Sequence, residues 1–145
     1  MRKKILVVDD DADVIDLVSF NLKKAGFCVG TAANGVEALK KVCSISPDLI
    51  LLDLMLPELD GFAVCEILRR DPATAAVPII MLTAWSTELA RCCGFEAGAN
   101  DYVTKPFSPR ELVSRVEGLL QYPRERKRRP EGKSPTGSNP VVADP

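Results

Sequence analysis

Four apolar runs in this chain each stop at a polar residue, and this constrains the fold more than any other feature. Ile5-Leu6-Val7-Val8 meets Asp9-Asp10, and Leu49-Ile50-Leu51-Leu52 meets Asp53. Ile79-Ile80-Met81-Leu82 meets Thr83, and Tyr102-Val103-Thr104 meets Lys105, with Pro106 behind it. Short, continuous, branched apolar runs read as strands buried on both faces, hence as a parallel sheet covered by helices. In open α/β sheets ligands bind at the carboxyl ends of the strands. A sheet of these runs would bring three carboxylates, one hydroxyl and one ammonium to one edge.

The segments between the runs carry helical signals. Val14, Leu17, Val18 and Leu22 share a face of a helix expected over 13–25, with Gly26 as its stop. A short strand is expected over 27–32. Asn34-Gly35-Val36-Glu37 opens a helix as a variant capping box, and the helix ends near Ser46-Pro47. Further helices are expected from Phe62 to Arg70 and from Thr87 to Ala97, the latter stopped by Gly98. Ser108-Pro109-Arg110-Glu111 opens a last helix buried through Leu112, Val116, Leu119 and Leu120. Five strands alternating with five helices give a three-layer α/β sandwich with right-handed crossovers.

Composition changes after Gln121. Residues 122–145 hold five prolines, with six basic and three acidic residues, leaving thirteen basic and seventeen acidic in 1–121. That composition predicts one domain over 1–121 and a disordered Pro/Arg-rich tail or linker over 122–145. The run Arg124-Glu125-Arg126-Lys127-Arg128-Arg129 is short and lacks aromatics, so nucleic-acid binding is not expected of it. No apolar stretch is long enough to span a membrane, and Met1-Arg2-Lys3-Lys4 leads into a strand, so a cytoplasmic location is expected. The five cysteines show no metal spacing and are expected to be buried, reduced packing residues. The chain has no histidine. Phosphate handled here would therefore arrive on a carboxylate rather than leave from an imidazole.

Crowded carboxylates repel, and burial raises the cost of each charge. A dication together with Lys105 would keep Asp9, Asp10 and Asp53 ionised, and oxygen-only donors select a hard ion, Mg²⁺. One carboxylate could then attack a phosphoryl group while Lys105 and the Thr83 hydroxyl hold its oxygens.

With these motifs the chain resembles the receiver domain of two-component response regulators. The resemblance rests on Asp9-Asp10-Asp11, on Asp53-Leu-Met55-Leu-Pro57-Glu-Leu-Asp60-Gly61, on Thr83-Ala84, and on Gly98-Ala-Asn-Asp-Tyr102-Val-Thr-Lys105-Pro106-Phe107. It covers roughly residues 3–121. It implies a flavodoxin-like sheet of order 2-1-3-4-5, and Asp53 as phosphoacceptor for a sensor histidine kinase or histidine phosphotransfer protein. It further implies Mg²⁺ on Asp10, Asp53 and the Met55 backbone carbonyl, with Asp9 sharing the metal or acting through water. Thr83 and Tyr102 would form a coupled switch, and the Lys105-Pro106 peptide would be cis. The chain would act as a switch rather than an enzyme, changing its affinity for an output protein or domain.

Other readings fare less well. An aspartyl-nucleophile phosphatase usually carries a second acid two residues after the nucleophile, where this chain has Met55. A flavin-binding relative would set Asp9-Asp10 against the cofactor's phosphate. A receiver fragment of a longer DNA-binding regulator remains an alternative. Pairing of two copies through the fourth helix, fifth strand and fifth helix would use Arg91, Asp101, Glu111 and Arg115, while Asn100 and Tyr122 weaken that match. Trp85 would stand with Met55 beside the phosphoryl site, or pack over the helix that follows it.

Overall fold

The computed structural model describes residues 2–121. The tail over 122–145, with Tyr122, lies outside them. Strands β1 (Lys4–Val8), β2 (Cys28–Ala32), β3 (Leu49–Leu52), β4 (Ile79–Thr83) and β5 (Asp101–Thr104) alternate with helices α1 (Ala12–Lys24), α2 (Gly35–Ile45), α3 (Gly61–Arg70), α4 (Glu88–Ala97) and α5 (Pro109–Gln121). All pairings are parallel and the order is β2-β1-β3-β4-β5, as expected.

Alternation along the strands splits the core in two. Leu6, Val8, Ile50, Leu52, Ile79 and Met81 face one side, with Ala38 and Val42 of α2, Val64 and Leu68 of α3, and Ala90 of α4. Ile5, Val7, Leu49, Leu51, Ile80 and Leu82 face the other, with Val18 and Leu22 of α1 and Leu112, Val116 and Leu119 of α5. The central strands are buried on both faces, which is why their sequences lack alternation.

Helix starts follow the expected chemistry. Asp11 caps α1 by accepting from Asp13 N at 3.0 Å. Asn34 caps α2, and Glu37 reaches back to Ala33 N at 2.8 Å. That carboxylate is held below its ordinary range, chiefly by the Ala33 bond and further by Lys41. Element ends differ from expectation by about a residue, because a cap residue reads as helix in a pattern and as boundary in a backbone.

One brace carried no sequence signal. Arg69 of α3 donates to the carbonyls of Gly98 at 2.9 Å, Val77 at 2.6 Å and Ala75 at 3.1 Å, and to Asn100 Oδ1 at 2.8 Å. Asn100 Oδ1 also accepts from Ile79 N at 2.9 Å. Asn100 is thus an internal strut, in keeping with its poor match to a pairing face. Of the five cysteines only Cys65 is buried, while Cys28, Cys43, Cys92 and Cys93 are exposed, which corrects the expectation of buried packing thiols. Among the described residues no helix is long and apolar enough to cross a membrane.

Candidate functional site

Parallel register places the acids. Val8 pairs with Leu52 across β1 and β3, so Asp9 and Asp53 leave the sheet side by side. Asp53 N donates to the Val8 carbonyl at 3.0 Å, which fixes that step. Thr83 pairs with Thr104 across β4 and β5, and Lys105 N donates to the Thr83 carbonyl at 2.8 Å. The Lys105–Pro106 peptide is cis.

From the outer strand the Lys105 ammonium reaches both inner acids. Nζ lies 2.7 Å from Asp9 Oδ2 and 3.3 Å from Asp53 Oδ2. Asp9 is 2 % exposed, Asp53 5 % and Thr83 0 %. Asp10 lies at the solvent side, and one carboxylate oxygen from each of Asp9, Asp10 and Asp53 falls within 4.8 Å of the others. The remaining oxygens are oriented by the backbone. Asp11 N donates to Asp9 Oδ1 at 2.9 Å, and Met55 N donates to Asp53 Oδ1 at 3.1 Å.

The electrostatics are those of an acidic site with one resident cation. Burial raises the Asp9 carboxyl above its ordinary 3.8; Lys105 and the Asp11 N–H oppose this, and the Asp53 charge adds to it. For Lys105, burial is the largest single influence and favours the neutral amine. The bond to Asp9 and the charges of Asp53 and Asp9 together outweigh it, so the ammonium is raised and stays charged. Three clustered carboxylates, two of them touching one ammonium, leave negative charge over. An oxygen-only donor set of this size fits a hard divalent cation held by Asp9, Asp10 and Asp53.

The loop after β3 must turn tightly here. Gly61 N donates to the Leu54 carbonyl at 3.0 Å, and a Cβ on Gly61 would collide with the Asp53 carbonyl oxygen. Glycine in the Asp60-Gly61 pair is therefore a steric need of the site. The Met55 side chain points outward and is exposed.

Around β4 and β5 a second cluster adjoins the acids. Thr83 Oγ1 accepts from Trp85 N at 3.3 Å, which leaves its hydroxyl hydrogen as the group it can offer a ligand. The Tyr102 ring is buried, and its hydroxyl donates to the Trp85 carbonyl at 2.5 Å. Burial pushes the Tyr102 phenol up; Arg91 lowers it, and Asp53 and Cys93 raise it further. Arg91 stands 5.2 Å over that ring. The Trp85 ring tilts against Phe62 at the start of α3, 6.1 Å between centroids. The ring thus has a partner on α3, while about two fifths of the residue stays exposed.

Charges expected across a pair of chains have partners within this one. Arg115 pairs with Asp101 at 2.8 Å and with Glu111 at 2.9 Å. Arg69, Phe62 and the loop glycine partners were invisible to pattern reading, because their importance lies in what they touch.

Comparison with known proteins agrees with this geometry. The family model described as "Response regulator receiver domain" matches residues 5–117. The chain is 51% identical over 121 residues to the alkaline phosphatase synthesis transcriptional regulatory protein PhoP of Bacillus subtilis, covering 83% of this chain and 50% of that protein. It is 48% identical over 118 residues to the DNA-binding dual master transcriptional regulator RpaA of Synechocystis, covering 81% of this chain and 49% of that one. The chain thus spans about half the length of these curated relatives. Among solved structures, chemotaxis protein CheY4 of Vibrio cholerae superposes with a TM-score of 0.79 at 33% identity, covering 83% of this chain and 100% of that one. DrrB of Thermotoga maritima, an OmpR/PhoB homologue, superposes with a TM-score of 0.77 at 36% identity, covering 86% of this chain and 55% of that one.

Proposed function

The chain belongs to the response regulator receiver family of two-component signal transduction, and from that premise we propose that Asp53 is its phosphoacceptor. The observation that carries this reading is the Lys105 ammonium, which bridges the two buried acids that parallel register sets abreast. Nothing in the packing of a sheet requires two buried carboxylates at adjacent strand ends; a phosphoryl site does.

In the proposed reaction an Asp53 carboxylate oxygen attacks the phosphorus of a donor, a phosphohistidine of a sensor kinase or histidine phosphotransfer protein. The oxygen–phosphorus bond forms as the phosphorus–nitrogen bond breaks, and its electron pair leaves with the imidazole. Asp9, Asp10, Asp53 and the Met55 carbonyl would hold Mg²⁺, which supplies positive charge to the transferring phosphoryl oxygens. Lys105 supplies a second positive charge already in place, so no reorganisation is needed as charge shifts. The Thr83 hydroxyl donates to one phosphoryl oxygen. Once it turns to do so, its bond from Trp85 N is disturbed, and Trp85 carries the carbonyl to which Tyr102 is bonded. That chain of contacts is the proposed route from Asp53 to the face of α4, β5 and α5.

The chain is a switch and not an enzyme in this reading, working in the cytoplasm where its kinase presents phosphohistidine. Its named relatives, a transcriptional regulatory protein and a DNA-binding transcriptional regulator, are about twice as long as the segment they share with this chain, which favours a downstream DNA-binding output over a free-standing receiver. DNA contact would belong to that output, not to residues 2–121. Pairing of two copies through α4, β5 and α5 would have to exchange the internal Arg115 bonds for intermolecular ones.

The test is incorporation of radiolabel from acetyl phosphate with Mg²⁺ and with a chelator. Labelling should require the metal and fall sharply in Asp10→Ala. Labelling that survives chelation would refute the metal-dependent reading.

A further inference from the structure

The loop from β3 to α3 is pressed from a helix that contributes no side chain to the acids. Leu56 anchors it in the core, and Gly61 N closes it onto the Leu54 carbonyl. Between these points Leu59 N donates to the Pro57 carbonyl at 2.7 Å across Glu58, whose φ is 69°. A bond from i to i+2 around a residue of positive φ is the rare, strained γ-turn. Against that turn lies Gly35, the first residue of α2. A Cβ there would stand 2.6 Å from the Leu59 carbonyl oxygen, 2.8 Å from Val64 Cγ2 and 3.1 Å from Leu59 Cβ. Gly35 itself sits in ordinary helix, where alanine would suit the backbone better. Its missing side chain therefore serves the loop rather than the helix.

We propose that Gly35 is a positioning residue for the acidic site: through Leu59 it sets where the β3–α3 loop lies, and with it the Met55 peptide. The inference rests on the reading that this site binds Mg²⁺ with the Met55 carbonyl as one ligand. If the two backbones are forced apart, the loop yields before the helix. The start of α2 is pinned by the Asn34 cap and the Glu37–Ala33 bond, whereas the turn is strained and closed by one bond. Met55 N is bonded to Asp53 Oδ1, so a displaced loop rotates the Met55 peptide against the very carboxylate the ion must share. Groups that orient metal ligands from behind affect affinity much as the ligands do.

Calorimetric titration with MgCl₂ tests this on wild type, Gly35→Ala and Gly118→Ala. Gly118 has nothing within 4 Å of an added Cβ and serves as the glycine-to-alanine control. Gly35→Ala should bind Mg²⁺ about tenfold more weakly, and Gly118→Ala should bind like wild type. Should Gly35→Ala not fold, wild type supplies the second measurement. In an NMR titration with Mg²⁺ the amides of Gly35 and Leu59 should shift with the same dissociation constant as that of Met55. Wild-type affinity in a folded Gly35→Ala, or still amides at Gly35 and Leu59 while Met55 moves, would overturn the proposal alone. Absence of Mg²⁺ binding by wild type would overturn the reading beneath it as well.

Discussion

Replacing Lys105 with methionine keeps the aliphatic stem and removes the charge that holds Asp9 and Asp53 together. Two unit charges about 3 Å apart attract by about 5 kcal/mol at an effective dielectric near 20. Nζ makes two such contacts, at 2.7 and 3.3 Å, from a side chain 19% exposed. The full attraction is never lost, because a carboxyl left without its cation takes up a proton. Protonating one acid from an ordinary 3.8 limits the loss to about 4 kcal/mol at pH 7 and about 1.6 kcal/mol at pH 5. The sign follows from linkage. The variant's acid has a folded pKa raised further above its unfolded one, so stability is regained as pH falls from neutrality toward 4. Lys105→Met should therefore melt on the order of 10 °C below wild type at pH 7 without metal, and by much less at pH 5. With the ammonium gone, Mg²⁺ should bind the variant more tightly than wild type and so narrow the gap by mass action. Thermal melts at both pH values, with and without Mg²⁺, give all four numbers. A deficit independent of pH and metal would refute the electrostatic account and leave lost packing as the cause.

Arg69→Met should cost about 3 kcal/mol, measured by urea unfolding, because several partly buried carbonyls and the Asn100 amide oxygen lose a charged donor; a loss under about 1 kcal/mol would show the brace to be ornamental. Glu37→Gln should lower the melting temperature slightly near neutrality and leave it almost unchanged near pH 3. The Glu37 carboxyl is held below its ordinary 4.5, so its stabilisation is present above that value and disappears as pH falls through the folded one. An equal drop at both pH values would place the effect in packing and not in the carboxylate.

The sheet and the acids were legible because their signals are local. A run such as Leu49 to Leu52 can only be buried on both faces, and a charge directly after it must sit at the strand's end. Topology then converts four such ends into one site, and the motifs around Asp53 and Lys105 resemble a known family closely enough to supply the strand order. What lay beyond reading were contacts between residues distant in sequence. Arg69 is 31 residues from Asn100 and looks like any charged residue closing a helix. Trp85 is expected either beside the phosphoryl site or over the helix that follows it; its contact with Phe62 depends on how α3 docks, which no periodicity encodes. Gly35 read as part of a capping box, whereas its lack of a side chain answers to a loop 24 residues away.

The central claim is that Asp53 receives the phosphoryl group. Peptide-level mass spectrometry after treatment with acetyl phosphate and Mg²⁺ tests it directly, with hydroxylamine to cleave acyl phosphate and Asp53→Asn as the partner sample. One phosphoryl group should appear on the peptide carrying Asp53, be lost to hydroxylamine, and be absent from Asp53→Asn. Full modification of Asp53→Asn, or a stable phosphoryl group on another residue of wild type, would contradict the account.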